Sequence, residues 1–338
     1  MKKLFLIKIL MLLVLFSAAQ QQPYYTQYIL NNYILNPALS GIENYTDVKI
    51  SARDQWVGLT GAPRTCYFSI QGPIGKKDYK TSATSFNVPG ENPRGKSYWE
   101  NYTASDPHHG IGLSLINDRT GLYNHFTADV SYAYHLGISS RTSIAAGFSG
   151  GVTNVSYDRS KSTPVDPNDP ALGNTNQNIH KIVPDLNAGV WLYSDKYFVG
   201  VSVQQVIPQK IDYGNTTNGF KLVQHYFATI GYRYLLNDDI NALPSVMIKY
   251  VSSSGIKFQF DANLKLQYRD QFWTGFSYRY QDGYAAMIGL NISNTMNVGY
   301  SYDFTKTRLN AASYGTHEFI VGFILGNRYS DACPRNIW

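Results

Sequence analysis

The sequence predicts an all-β protein, a transmembrane outer-membrane β-barrel of about 14 antiparallel strands. Three observations favour this fold class. Apolar and polar residues alternate along most of the 338-residue chain, and the connections between the alternating segments are short at every second position. Charged residues make up only 15% of the chain, against about a quarter in a typical soluble protein.

The chain begins with a segment typical of a secretory signal peptide. Residues 1–19 begin with two lysines after Met1, followed by a short apolar run and then small residues, which predicts cleavage near Ala19. The run is too short for a comfortable transmembrane helix, and Lys8 interrupts it. No cysteine lies at the cleavage point, so we expect no lipoprotein anchor. An exported chain without a later apolar helix can span a membrane only as a barrel.

The alternation is clearest in two consecutive segments between Phe258 and Tyr280. Apolar residues occupy every second place in both, and Arg269-Asp270 joins them as a hairpin turn. The polar face of the predicted strands carries both signs of charge: Asp129, Arg233, Lys249, Asp261, Lys265, Arg279, Asp303 and Glu318. The core of a soluble barrel would not hold these groups, whereas a hydrated lumen would. The apolar face is therefore expected to meet lipid.

The predicted barrel covers residues 45–326. Its strands are expected near 45–58, 63–74, 109–117, 122–137, 142–157, 182–193, 196–206, 221–236, 240–251, 256–268, 271–280, 284–292, 295–304 and 314–326. Tight turns at 139–141, 194–195, 237–239, 269–270 and 293–294 alternate with connections that include the long runs 158–181, 207–219 and 305–313. Short periplasmic turns and longer extracellular loops are typical of outer-membrane barrels. Both termini are then periplasmic.

One connection on the short-turn side is long. Residues 75–108 are polar and contain three prolines, so we expect a long periplasmic loop insertion; a miscounted hairpin is the alternative. Residues 327–338 form a tail after the last strand. The two cysteines, Cys66 and Cys333, either pair in an oxidising compartment or remain two unpaired thiols.

Composition and motifs argue against several functions. The net charge of +6 is spread along the chain, so no nucleic-acid partner is expected. No histidine belongs to a recognisable nucleophile motif, and we expect no enzyme. His108-His109 is interpreted as part of a solvated loop, and 165–180 as a flexible surface loop that lacks the spacing of a known calcium loop. The sequence therefore predicts no catalytic, cofactor or metal site.

Several segments resemble a known family. YYTQYILNNYILNPALSG, residues 24–41, and RDQWVGLTGAPRT, residues 53–65, resemble the PorP/SprF family of outer-membrane proteins of the type IX secretion system. The resemblance continues to YDFTKTRLNAASYGTHEFIVGF near the end and covers nearly the whole mature chain. The insertion at 75–108 and the tail at 327–338 depart from the usual pattern.

The first family motif lies before the barrel. Pro37 restricts Asn36 to extended or turn conformations, and Gly41 follows closely. Residues 20–44 are therefore predicted to fold against the barrel as a periplasmic or plug segment that packs inside it or at its rim. A cargo site is the competing interpretation of this segment.

The second motif lies around the end of the first strand. Arg53 and Gln55 are expected to face the lumen. Asp303 and Glu318 are expected to face it too, and on that basis alone Arg53 is expected to pair with Asp303 or Glu318. Near the rim, Trp56 is interpreted as an aromatic girdle anchor, and Gly61, Ala62 and Pro63 as a tight extracellular turn. His317 and Glu318 lie on opposite faces of the last strand and so cannot act on one group together.

The resemblance implies a function that composition does not reveal. It implies export or anchoring of specific cargo, often surface adhesins used in gliding motility, through recognition of a cargo C-terminal domain. Implied partners are this domain, outer-membrane lipid and type IX secretion components including a periplasmic ring lipoprotein. The rim candidates for cargo contact are Arg159, Tyr213, Phe220 and Arg308; shielding of the rim is the competing role for each. The alternative function is a small-solute outer-membrane pore.

Overall fold

The computed structural model of the protein describes residues 26–75, 102–158, 179–211, 220–252, 258–269, 271–293, 295–306 and 313–326. The expected signal peptide, the C-terminal tail with Cys333, most of the 75–108 insertion and nearly all of the 165–180 loop lie outside these residues. No helix within the described part of the chain is long and apolar enough to cross a membrane.

Strands dominate the described residues. They are β1 (Thr46–Asp54), β2 (Arg64–Ile74), β3 (His108–Thr120), β4 (Tyr123–Ser139), β5 (Thr142–Tyr157), β6 (Ile179–Ser194), β7 (Tyr197–Gln204), β8 (Gln209–Ile211), β9 (Phe220–Leu222), β10 (His225–Tyr232), β11 (Tyr234–Leu235), β12 (Ile240–Val251), β13 (Gln259–Tyr268), β14 (Phe272–Arg279), β15 (Gly283–Ser293), β16 (Met296–Thr305) and β17 (Thr316–Leu325). Three short 3₁₀ helices precede them, at Thr26–Leu30, Asn32–Ile34 and Pro37–Leu39.

The strands close into a 14-stranded antiparallel β-barrel. β8 and β9 form a separate small hairpin, and β10 and β11 are two parts of one strand that is interrupted at Arg233. Sequential neighbours pair along the sheet, β10 pairs with both β7 and β12, and β1 pairs with β17 to close the circle. The predicted fold class and strand number are confirmed.

Several strand ends differ from the expectation by a few residues, and two of these differences bear on the predicted motifs. β1 ends at Asp54, four residues earlier than predicted, because the chain turns into the β1–β2 connection. β3 begins at His108, so the interpretation of His108-His109 as a solvated loop is wrong. β2 pairs directly with β3, from Arg64 opposite Arg119 to Ile74 opposite His109. The insertion therefore connects two adjacent strands, and the strand parity is kept.

The two faces of the barrel differ as the alternation predicts. Large apolar side chains point outward, among them Val130, Phe148 and Ile182, which are all more than half exposed. All eight charged residues that were expected to face the lumen are buried inside. This is the arrangement of a protein whose outer surface meets hydrocarbon, because there the apolar side chains need no protein cover.

The connections also follow the expected parity. The five tight turns between β4–β5, β6–β7, β11–β12, β13–β14 and β15–β16 lie at one rim, here called the short-turn rim. The other rim, here called the long-loop rim, holds the connections after β1, β5, β7, β12 and β16. Two connections at the long-loop rim are also tight, those after β3 and β14, so loop length separates the rims only in part.

Candidate functional site

Residues 26–42, here called the plug, fill the interior of the barrel. Almost every plug side chain that the structure describes is buried. The plug makes hydrogen bonds to ten strands around the circumference: β1, β2, β3, β4, β6, β7, β13, β14, β16 and β17. An N-terminal segment that is tied to the wall on every side is held as part of the barrel core.

Local sequence sets the shape of the plug. Asn36 is extended, with φ −142° and ψ 110°, as its position before Pro37 predicts. Its side-chain oxygen accepts a hydrogen bond from the Ala38 N–H at 3.0 Å and so caps the third 3₁₀ helix. Gly41 adopts a positive φ of 73°, which ends this turn and directs the chain toward β1.

The first plug residue binds a buried cluster of charges. Arg53 on β1 donates to Asp303 Oδ2 at 2.6 Å and to Glu318 Oε2 at 3.0 Å. Arg279 donates to the same Asp303 oxygen at 2.8 Å. The Thr26 N–H donates to Glu318 at 2.8 Å, and its hydroxyl donates to Asp303 at 2.7 Å. Arg53 was expected to pair with Asp303 or Glu318; it binds both carboxylates, and the plug is part of the same network.

Two tyrosines extend from the plug to opposite walls. Tyr28 accepts a hydrogen bond from Asn263 at 2.6 Å, and the Tyr33 hydroxyl bonds Ser131 at 2.7 Å. Burial raises the pKa of Tyr28 well above its ordinary value, and burial raises the pKa of Tyr33 to about 12. Both hydroxyls therefore stay neutral at physiological pH and act as hydrogen-bonding groups.

Asn36 joins the plug to the backbone of the wall. Its Nδ2 donates to the carbonyls of Val190 on β6 and Val201 on β7, at 3.1 and 3.3 Å. A Cβ at Gly189 would lie only 2.1 Å from Asn36 Oδ1. The approach of Asn36 to the sheet therefore requires glycine at position 189.

A pair of histidines holds the other end of the plug. His108 and His135 are fully buried and stack with their ring centroids 4.5 Å apart. His135 Nε2 lies 2.8 Å from the Ser40 carbonyl oxygen, and His108 Nε2 lies 3.1 Å from that of Gly41. A Cβ at Gly110 would overlap the Ser40 carbonyl, at 1.8 Å. The plug backbone therefore rests directly on β3 at this glycine.

Apolar packing completes the seat of the plug. One buried cluster contains Tyr28, Ile29, Ile34 and Leu35 from the plug with Tyr67, Phe227, Met247, Trp273, Met287 and Ile320 from the wall. A second contains Tyr33, Ala38, Leu39 and Ile42 with Ala145, Trp191, Tyr193 and Phe198. The inward face is thus a mixture of polar and apolar groups that complements the plug.

The remaining motif residues lie at the long-loop rim. The N–H of buried Gln55 donates to the Pro63 carbonyl at 2.9 Å, and Gly61 has a positive φ of 77° within the same turn. Trp56 lies in this connection with φ 47°, and its N–H donates to Thr316 Oγ1. It is not on β1, and its role as a girdle anchor stays a prediction. Ala62 donates to Leu59 across the turn.

The last strand behaves as the alternation predicts. His317 points outward and bonds the Tyr300 hydroxyl at 2.7 Å, whereas Glu318 points inward. His108 and His109 likewise alternate, since His109 is exposed beside Tyr132. Among the described residues no group of three His, Cys, Asp or Glu side chains is arranged to hold a metal ion.

The structure describes only one of the four rim candidates. Phe220 is the first residue of β9, in the small hairpin beyond β7. Arg159, Tyr213 and Arg308 lie outside the described residues. Cys66 is an exposed free thiol on β2, on the outward face. The proposed contact of these rim residues with cargo is therefore untested by the fold.

Comparison with known proteins decides the family. The model of the type IX secretion system membrane protein PorP/SprF matches residues 17–323. The chain belongs to the PorP/SprF family. Membership supports a membrane role in type IX secretion and involvement with other components of that system. The PorP/SprF family and the barrel fold together place the chain in the outer membrane.

Solved structures with similar folds are other barrels. The toluene transporter TodX of Pseudomonas putida is 10% identical with a TM-score of 0.49, covering 90% of this PorP/SprF chain and 94% of TodX. A Pseudomonas aeruginosa FadL homologue is 10% identical with a TM-score of 0.42, over 91% and 96%. The translocator domain of autotransporter NalP from Neisseria meningitidis is 12% identical with a TM-score of 0.39, over 88% and 92%. No curated protein sequence matches the chain.

Sequence reasoning missed the glycines and histidines that receive the plug. Gly110 and Gly112 alternate on the inward face of β3, directly after His108. A glycine at alternate positions of a strand signals close approach of another backbone. That signal is visible in HHGIGLSL, but it identifies neither the approaching segment nor the contact.

Proposed function

We propose that this PorP/SprF barrel is a plugged, non-enzymatic component that supports secretion or surface anchoring of specific cargo. Its rims would contact a cargo C-terminal domain or the periplasmic secretion machinery, including a ring lipoprotein. The single observation that supports this proposal is the plug, which occupies the lumen and is bonded to ten strands. A barrel whose interior is filled by its own chain offers its rims for binding.

The strength of the plug contacts favours a closed lumen. Thr26 of the plug hydrogen-bonds the buried charge cluster of β1, β14, β16 and β17, and each hydrogen bond to a charged group contributes about 1.5–3 kcal/mol. Each of its further hydrogen bonds contributes roughly 1 kcal/mol. Spontaneous release of the plug into water is therefore rare, which disfavours a small-solute pore as the resting activity.

The long-loop rim provides surface for a partner. The β8–β9 hairpin lies beyond β7 as a separate two-stranded sheet and does not pair with the barrel. Its Phe220 is an aromatic residue of the kind that concentrates binding energy in interfaces. Arg159, Tyr213 and Arg308, which lie outside the described residues, stay predicted cargo contacts on the basis of the sequence alone.

Deletion of the gene tests the proposal. We expect the deletion strain to lose surface display of one particular large cargo while other type IX cargo is displayed normally. Replacing 211–218 with a Gly-Ser linker is expected to reduce that display without lowering the amount of folded barrel. The matched control replaces the short-turn-rim residues 237–239, which face the periplasm.

Conductance separates this proposal from the pore alternative. Purified barrel in planar bilayers is expected to show no steady conductance, because the plug remains seated. Normal display of every type IX cargo in the deletion strain, combined with lost uptake of a small solute, would replace the adaptor role with the pore.

A further inference from the structure

A row of three inward positions crosses the wall on the side opposite the charge cluster. Asp129 on β4, Gly151 on β5 and Asp185 on β6 are direct register partners. Both carboxylates are more than nine-tenths buried, with 5% and 7% exposure. A Cβ at Gly151 would lie 2.3 Å from Asp129 Oδ1, so Asp129 leans over the glycine toward β6.

The two carboxylates have few partners. Asp129 Oδ2 accepts one long hydrogen bond from Asn187 Nδ2, and Asp185 Oδ2 accepts one from Thr153 Oγ1, both at 3.3 Å. The Oδ1 atoms of both residues are buried and have no hydrogen-bond partner in the described structure. Neither residue forms an ion pair with a Lys, Arg or His side chain in that part of the chain. Asp303, by contrast, binds two guanidinium groups.

Two buried carboxylates with free oxygens either share a proton or bind a positive partner, because an unpaired buried charge is strongly unfavourable. The groups that contact them are neutral: the Asn187 amide donates to Asp129 and the Thr153 hydroxyl donates to Asp185, and the hydroxyls of Thr127 and Thr153 lie 2.9 Å apart in the next row of the same strands. Two carboxylates with neighbouring hydroxyls suit a hard divalent cation such as calcium, which prefers oxygen ligands.

We propose that Asp129 and Asp185 bind a calcium ion across Gly151, inside the barrel wall. Up to four carboxylate oxygens and the Thr153 hydroxyl are available, and water supplies the remaining ligands that calcium requires. The ion neutralises the pair and ties β4 to β6. Ser131, two residues from Asp129, bonds both Tyr33 and Ser40 of the plug. The calcium site therefore also braces the wall on which the plug rests.

Terbium luminescence tests the site in the full mature barrel, purified in detergent and stripped with EDTA. Terbium replaces calcium in oxygen sites, and Tyr33 lies close enough through Ser131 to sensitise its emission. We expect saturable emission that calcium displaces, with affinity at least tenfold weaker in Asp129→Asn and Asp185→Asn. Asp118→Asn is the matched control, because Asp118 is also a buried lumen carboxylate but bonds Thr65 and Thr120.

Thermal unfolding gives a second readout that does not depend on the variants. Calcium is expected to raise the melting temperature of the wild-type barrel and EDTA to lower it, with no such difference in Asp129→Asn. Unchanged melting of the wild type in calcium and EDTA would overturn the proposal, as would terbium emission that survives both substitutions. Substitutions that raise the melting temperature regardless of calcium would show that the pair instead shares a proton.

Discussion

Replacing Arg53 by methionine is the sharpest test of how the plug is held. The substitution keeps much of the side-chain volume and removes the guanidinium that bonds both Asp303 and Glu318. Glu318 is completely buried, and it would keep the neutral donors Ser51 Oγ, at 3.1 Å, and the Thr26 N–H. Asp303 would keep Arg279.

The magnitude follows from this change of partners. Leaving a buried charge without its partner costs about 3–5 kcal/mol. The lower end applies here, because Asp303 retains one guanidinium and Glu318 retains hydrogen bonds. A loss of about 3 kcal/mol corresponds to a roughly 150-fold smaller folding equilibrium constant, at about 1.4 kcal/mol per factor of ten.

Urea unfolding of the refolded barrel in detergent, followed by tryptophan fluorescence, measures this loss. The matched control is Arg64→Met, which breaks the exposed pair with Asp54 and should change stability by less than about 1 kcal/mol. Adding Glu318→Gln to Arg53→Met should recover part of the loss, because it removes the uncompensated charge. Equal unfolding midpoints for Arg53→Met and Arg64→Met would refute the assignment of the cluster as the anchor of the plug.

Four further changes test other contacts. Gly110→Ala should unseat the plug and produce conductance in planar bilayers, whereas Gly150→Ala, which meets only the flexible Leu186 side chain, should remain closed. Asn36→Ala should cost about 2 kcal/mol in urea unfolding, because it removes a cap and the hydrogen bonds to two wall carbonyls; unchanged stability would contradict the role of Asn36 in joining the plug to the wall. Cys66 should react with a lipid-soluble maleimide and not with an impermeant one on intact cells, since it faces outward from β2; the reverse pattern would place this face in water. The pKa of Tyr33 is about 12 in the folded barrel against about 10 when unfolded. This raised pKa stabilises the barrel below pH 10, and the contribution to stability is lost as pH rises through 12. Tyr33→Phe should therefore reduce the loss of stability that the wild type shows at alkaline pH.

The alternation of side chains made the barrel predictable, because a period of two is written directly in the sequence. The inward-facing positions of these residues in the alternation also predicted that Arg53 pairs with Asp303 or Glu318. The contacts between the plug and the wall were not predictable in the same way. Some of them use backbone carbonyls of the wall, such as those of Val190 and Val201, and every residue has a backbone carbonyl, so the sequence does not mark these positions. The Asp129–Asp185 pair required the register of three strands, and one residue of error in that register would have separated the two carboxylates.

The wrong expectation for His108 has a physical origin. A pair of histidines beside a polar insertion was interpreted as solvated, but the hydrogen-bond ladder of β3 continues to His108 opposite His135. Both rings face inward, where they stack on each other and form hydrogen bonds with plug carbonyls. These contacts replace the hydrogen bonds that the imidazoles would make with water. Hydropathy gives no sign of this arrangement, because histidine is equally compatible with water and with a buried polar contact.

The seam between β1 and β17 makes completion of the chain a condition for a stable product. Thr26 and Glu318 are separated by 292 positions, yet they share a hydrogen bond, and Arg53 bonds Glu318 across the same seam. An incomplete chain that lacks β17 would have two open sheet edges, a plug without its anchor and a buried arginine with fewer counter-charges. Such intermediates would be cleaved readily by periplasmic proteases. Completion of the barrel closes both sheet edges, anchors the plug and pairs the arginine in a single step. The network at the seam can therefore form only when β17 is in place.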